Sequence, residues 1–206
     1  MPIFPTNRKF ASFDLQAYKK SVMNNFQNVY DTREYHVAKD RLQFYFVSKG
    51  DKDIVKVVQY QYVKDFDGRP LFNLGFGDYD MDRGTVSDEE VSNNKDHYKV
   101  FHTVLNTVPR LFDAYGDIIL MAQGSDSKQE YIEKCRALCT KKCSSEICKN
   151  AHRRISIYRG FVDKYFEELS ENYIFKGGEG VENQNLIESY QKGKKYNAVL
   201  VMRKKS

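Results

Sequence analysis

Two short polar stretches of this sequence have the residue types and spacing of anion sites. Gly124-Ser125-Asp126-Ser127-Lys128 follows a short apolar run, and Asn93-Asn94-Lys95-Asp96 precedes a long apolar-striped segment. Both read as polar starts of helices. A helix N-terminus offers unpaired amides and the positive end of the helix dipole, which suits phosphate or carboxylate. Ser125 and Ser127 add hydroxyls there and Lys128 adds a charge. The glycine and lysine spacing of a Walker loop or a dinucleotide fingerprint is missing. A plain capped helix start also accounts for these residues, because Ser127 and Glu130 have capping-box spacing and Asn93, Asn94 or Asp96 suits an N-cap. The ligand-binding set expected here is Asn93, Asn94, Asp96, Gly124, Ser125, Ser127 and Lys128. No catalytic residue is assigned.

Three further groups carry candidate chemistry. Cys135, Cys139, Cys143 and Cys148 precede His152. On a helix, gaps of four would pair Cys135 with Cys139 and Cys148 with His152 as metal ligands. Zinc knuckles use tighter turns, so free thiols are expected, with no metal and no cofactor. Asp78, Asp80, Asp82 and Glu89 stand at positions one, three, five and twelve of a calcium loop, but position six is Arg83 and Gly84 comes one place late. A solvated acidic loop is the plainer reading. Asp96 beside His97 has acid–base character, with His36, His102 and His152 elsewhere. No nucleophile–base set is visible.

The charge is uneven. The chain has 206 residues and a net charge of +5. From Lys141 onward, 14 Lys and Arg stand against 8 Asp and Glu, a net of +6, so the first 140 residues sum to −1. Lys192, Lys194, Lys195, Arg203, Lys204 and Lys205, with Arg153, Arg154 and Arg159, could attract a phosphate-bearing partner or nucleic acid. The aromatics nearby do not form an RNA-recognition pattern.

The elements that must position these groups are legible from periodicity. Leu15, Tyr18, Val22, Phe26 and Val29 mark an amphipathic helix over 13–30 in an N-terminal arm, residues 1–38. Residues 39–206 read as a single α+β domain. Strands are predicted at 41–49, 53–64 and 71–76, joined by turns at Gly50-Asp51-Lys52-Asp53 and Asp67-Gly68-Arg69-Pro70. Gly75 and Gly77 suggest a bulge or a close backbone approach. The next helix carries Phe101, Val104, Leu105, Val108, Leu111, Phe112 and Tyr115, with a kink or a local break expected at Pro109 and a stop at Gly116. Ile118 to Ala122 reads as a buried central strand. A helix with Tyr131, Ile132, Cys135 and Leu138 follows. Then comes one of about 25 residues through Ile147, Ile155, Val162 and Leu169, the two forming a helical hairpin over about 126–172. Tyr173-Ile174-Phe175 and Tyr196 to Met202 close the sheet around a glycine-rich loop at 177–180. The expected fold is a mainly antiparallel sheet with helices on one face.

The order Asn73-Leu74-Gly75-Phe76-Gly77-Asp78, then Ser92-Asn93-Asn94-Lys95-Asp96, then Gly124-Ser125, then Tyr196-Asn197-Ala198-Val199-Leu200-Val201 resembles an uncharacterised bacterial domain family, found mainly in Bacteroidetes and of unknown function. The resemblance covers about residues 40–204. It departs at Lys95, where the family has glycine, and at Lys128 and Glu130, where the family has an arginine-rich helix start. It implies a bacterial, cytosolic, single-domain protein and transfers no activity.

No run of about 18 apolar residues is present, and the first residues lack the apolar core of a secretory signal. An intracellular, cytoplasmic protein with no membrane contact is therefore expected. The leading expectation is a binding or regulatory protein that recognises a partner protein or a phosphate-bearing ligand. The rival is a toxin-like enzyme of a two-gene or mobile-element cassette, acting on nucleotides or nucleic acid, with Asp78, Asp96, His97 and Ser125 around one cleft. Oligomerisation through helix 13–30 is a third.

Overall fold

The computed structural model describes residues 28–87, 94–139, 143, 148–180 and 186–205. They form an α+β fold around one sheet. Its strands are β1 (Arg33–Ala38), β2 (Arg41–Ser48), β3 (Ile54–Phe66), β4 (Arg69–Asp80), β5 (Thr85–Ser87), β6 (Ile119–Gln123), β7 (Tyr173–Gly178), β8 (Glu188–Ser189) and β9 (Ala198–Arg203). The helices are α1 (His97–Tyr115), α2 (Gln129–Leu138), α3 (Arg153–Lys164) and α4 (Phe166–Asn172), with a 3-10 turn at Ser125–Ser127.

Strands β1 to β4 run as an antiparallel meander. The sheet order is β1-β2-β3-β4-β6-β9-β7-β8, with β5 on the end of β4. β6 is the central strand expected from its apolar run. It lies parallel to β4, which α1 makes possible by returning the chain across the sheet. β9 is antiparallel to β6.

Alternation decides the faces. Leu42, Phe44 and Phe46 of β2 are buried against Val58 and Tyr60 of β3 and Phe72 and Leu74 of β4. Val100, Val104, Leu111 and Phe112 of α1 and Ile155 and Val162 of α3 cover them. Each such side chain contributes about 1.5–3 kcal/mol. A second apolar set, Phe66, Leu71, Ile119, Met121, Leu200 and Met202, lies on the opposite face.

Several expectations shift. β1 was not foreseen, and the boundary expected after residue 38 falls inside the sheet, because β1 pairs with β2. The helix expected over 13–30 lies almost wholly outside the described residues, and 28–30 are not helical. α1 runs through Pro109 without a break and stops at Gly116, at φ 76°, as the sequence predicts. Its core face includes Thr103 and Thr107, both fully buried. The Tyr60 and Thr107 hydroxyls meet at 2.7 Å, and Thr107 donates to the Val104 carbonyl. The 25-residue helix is two shorter ones, α3 and α4, divided at Tyr165 (φ −111°, ψ 18°). The calcium-loop reading fails, since Asp78 lies within β4 and pairs with Lys56 across the sheet. Asp80 instead accepts the amides of Asp82 and Arg83 in the tight β4–β5 turn. Gly75 and Gly77 keep register, and the irregularity lies between Tyr62 and Lys64. The close approach is real at Gly77, where a Cβ would stand 2.7 Å from the Ser87 carbonyl oxygen. Gly177 and Gly178 belong to β7 rather than a loop, and the Tyr196 ring packs where a Gly177 side chain would be.

Candidate functional site

An open cleft of about 1160 Å³ lies where the start of α1, strands β3 and β4, the 3-10 turn and the outer faces of α2 and α3 meet. Each wall follows from local sequence logic. β3 places Lys56 among Val55, Val57 and Val58, so an apolar strand carries a lysine into the protein. Lys56 is 5% exposed. Its ammonium pairs with Asp78 on the neighbouring strand, at the position the register sets opposite it. The second Asp78 oxygen, Oδ2, is buried without a partner. Phe76 lies under the same ammonium, 6.0 Å from ring centre to nitrogen.

Asp96 occupies the N-cap position of α1, yet its side chain caps nothing. Its carboxylate accepts hydrogen bonds from Ser48 Oγ at 2.6 Å and from the Tyr30 hydroxyl at 2.8 Å. Burial works to raise its pKa. The Ser48 and Tyr30 hydrogen bonds, its own amide and the nearby Lys56 charge outweigh that and hold it below the ordinary carboxylate value. The first-turn amides of α1 therefore have no side-chain cap, and no acidic residue occupies that turn.

The opposite wall is the 3-10 turn. Asp126 is 3% exposed. Its Oδ2 accepts the backbone N–H of Arg154 at 3.0 Å, its carbonyl accepts the His152 N–H at 3.3 Å, and Oδ1 is left without a partner. Asp126 thus caps α3, whose own N-cap residue, His152, sits in the left-handed region at φ 58° with no side-chain cap. The Arg154 guanidinium donates to Ser125 Oγ. Ser127 Oγ is buried and unpartnered, so the Ser127–Glu130 capping box is not made, and α2 begins after Lys128 instead. Gly124 is extended, at φ −78°, and is glycine for space: a Cβ would stand 2.5 Å from Asp126 Oδ1 and 3.1 Å from the Ile155 amide nitrogen.

Of the sequence-predicted set, Asp96, Ser125 and Lys128 line the cleft. Asn94 stands behind it, its amide donating to Ser48 Oγ at 2.9 Å and to the Lys52 carbonyl at 3.0 Å. Gly124 and Ser127 shape the turn from inside, and Asn93 lies outside the described residues. Asp78 and His97 share the cleft with Asp96 and Ser125. Sequence reading missed Lys56, Phe76, Phe101, Lys134 and Tyr158, and did not connect Arg153 and Arg154 to this place. The lysine inside a valine-rich strand was the one available signal among them.

The cleft wall holds six cationic side chains, Lys56, Lys95, Lys128, Lys134, Arg153 and Arg154, against five carboxylates, Asp51, Asp78, Asp96, Asp126 and Glu130. Lys95, Lys128, Lys134 and Arg153 are exposed, and no ion pair among the described residues engages them. Phe76, Phe101, Tyr131 and Tyr158 add aromatic surface. Burial, reinforced by Asp126 and opposed by Arg154, pushes the Tyr158 phenol up to about 12, so it is a neutral hydrogen-bonding group at physiological pH.

The cysteines are elsewhere. Cys139 and Cys143 bring their sulfurs to 3.4 Å, and Cys135 accepts from the Asn150 side chain. Cys148 and His152 do not share a helix, since a turn precedes α3. No cluster of three or more His, Cys, Asp or Glu that could hold a metal ion occurs among the described residues.

The model of the family described as "Family of unknown function (DUF6934)" matches residues 27–134, and the chain belongs to that family. The match takes in β1 to β6, α1 and most of α2, and therefore Lys56, Asp78, Asp96 and Ser125. It ends before Arg153, Arg154 and Tyr158. No curated protein matches the chain. No solved structure matches it either. No helix among the described residues is long and apolar enough to cross a membrane.

Proposed function

We propose that this member of a family without an assigned activity binds a small phosphate-bearing molecule of nucleotide size in the cleft between α1, the 3-10 turn, α2 and α3. One observation carries the reading. Lys95, Lys128, Lys134 and Arg153 come from three separate parts of the chain to one opening, exposed and without ion pairs among the described residues. Unpaired cations around a concavity raise the local concentration of an anion and reward its binding. The uncapped first-turn amides of α1 add to the same sign of potential. Phe76, Phe101 and Tyr131 offer apolar surface beside it for the organic part of such a molecule. Four free cysteines suit a reducing interior, in keeping with a bacterial cytoplasmic setting.

The test is calorimetric titration with inorganic phosphate, pyrophosphate and nucleoside mono-, di- and triphosphates. Binding that weakens at least tenfold in Lys128→Glu or Arg153→Glu, and weakens with added salt, is the expected result. No binding of any of them at millimolar concentration would overturn the reading.

The enzymatic alternative has its own support, because Asp78, Asp96, His97 and Ser125 line the same cleft. However, Asp78 pairs with Lys56, Asp96 accepts two hydroxyls, and Ser125 accepts from Arg154. These roles are structural. Phosphate release from a nucleotide, abolished in His97→Ala with binding intact, would decide for the enzyme.

A further inference from the structure

Next to the cleft lies a second, smaller and partly open space of about 90 Å³ between α1, α3 and the sheet. Its walls are apolar, formed by Leu74, Val104, Val108, Leu120, Phe161 and Val199 among others. Phe101 and Tyr158 belong to the wall of both spaces. Their rings meet edge to face, 6.3 Å between centroids at 81°. The charged cleft and the apolar chamber therefore adjoin at that pair of rings.

We infer that the ligand is a phosphate ester with a short apolar tail, its phosphate among the cleft lysines and Arg153 and its tail past Phe101 and Tyr158 in the chamber. This rests on the phosphate reading above and specifies the other end of the molecule. Two observations support it. A chamber with so few polar groups cannot reward water, which needs two to four partners, so an apolar group is its natural occupant. Its volume also sets a length. Benzene occupies an apolar cavity of roughly 150 Å³, which scales to about three or four carbons here.

The experiment is a titration series on the unaltered protein with inorganic, methyl, ethyl, propyl, butyl, hexyl and octyl phosphate at fixed salt. Affinity is expected to rise about fourfold per added methylene up to butyl and then level off. In Ala122→Leu, which enlarges a residue of the chamber wall, methyl phosphate binding should persist while the gain with chain length disappears. Phosphates that all bind equally overturn the inference and leave the phosphate site standing. A gain that continues through octyl also overturns it, because the tail then lies on an open surface. If none of these phosphates binds, the inference falls, and the titration with pyrophosphate and nucleotides decides the phosphate reading separately.

Discussion

The Asp126 carboxylate accepts the backbone N–H of Arg154 at 3.0 Å, across 28 residues of sequence. This contact joins the turn after the central strand to the first turn of α3, so two walls of the cleft hold each other. Neither wall is capped locally. The start of α3 has no capping side chain of its own, and the Asp126 carboxylate would be unsatisfied without the amide.

Removing that carboxylate should therefore cost more than a surface change. Asp126→Ala leaves the Arg154 amide without its acceptor and strips α3 of its cap, a loss of about 1–3 kcal/mol. Urea denaturation should show a lower midpoint, and amide exchange should speed up at the first turn of α3. An unchanged midpoint would mean that the contact contributes nothing.

Gly124 makes the same junction testable from the other side. An alanine Cβ would meet Asp126 Oδ1 at 2.5 Å and the Ile155 amide nitrogen at 3.1 Å. The first neighbour can shift; the second is backbone of a packed helix. Gly124→Ala should cost about 1–3 kcal/mol by overpacking. Because the tightest of the three close contacts, the third being Ser127 Oγ at 3.0 Å, is with Asp126 itself, Gly124→Ala combined with Asp126→Ala should lose less than the sum of the single changes. A double-mutant cycle by chemical denaturation checks this, strict additivity being the contrary outcome.

Much of this architecture was readable before the structure, and the reasons are specific. β2 and β3 are rich in β-branched and aromatic residues, β6 is a continuous apolar run, and turn chemistry bounds them, so local sequence and tertiary burial agree. β1 was missed because Arg33-Glu34-Tyr35-His36-Val37-Ala38 is an exposed edge strand with little apolar face to reveal it. The capping assignments failed for a different reason. Asp96 and Ser127 have capping chemistry, but Asp96 is claimed by Ser48 and Tyr30, both far away in sequence. Asp126, which sequence reading passed over, caps a helix that begins 27 residues later. Local spacing cannot announce a long-range partner. The cleft was half legible on the same grounds. Its two polar starts were found, whereas Arg153, Arg154 and Tyr158 are brought to them only by the packing of α3.

Asp96 gives the pH prediction. Its pKa is depressed in the folded protein, below the ordinary 3.8. The folded state therefore favours the ionised form. That contribution is fully present above the unfolded value and disappears as pH falls through the folded one. Wild-type protein should thus exceed Asp96→Asn in stability at neutral pH, and the difference should shrink as the pH drops below 3.8. Denaturation midpoints measured across acid pH for both proteins check the sign. A difference that grows in acid would contradict the hydrogen-bonded carboxylate.

The Lys56–Asp78 pair separates stability from ligand binding. Both groups are largely removed from water, with side chains 6% and 16% exposed. Breaking such a pair by deleting one partner leaves a buried charge and costs about 3–5 kcal/mol, whereas replacing both with apolar residues is often close to neutral. Lys56→Met should therefore unfold far more readily than wild type, and Lys56→Met with Asp78→Val should recover most of the loss. The recovered protein then asks a functional question that the single variant cannot. If Lys56 only supports the floor of the cleft, phosphate esters should bind the double variant as they bind wild type. If its ammonium also faces the ligand, the double variant should be stable and bind at least tenfold more weakly. Since the four exposed cations at the opening are untouched by these changes, the first result is expected, and calorimetry on the refolded double variant decides it.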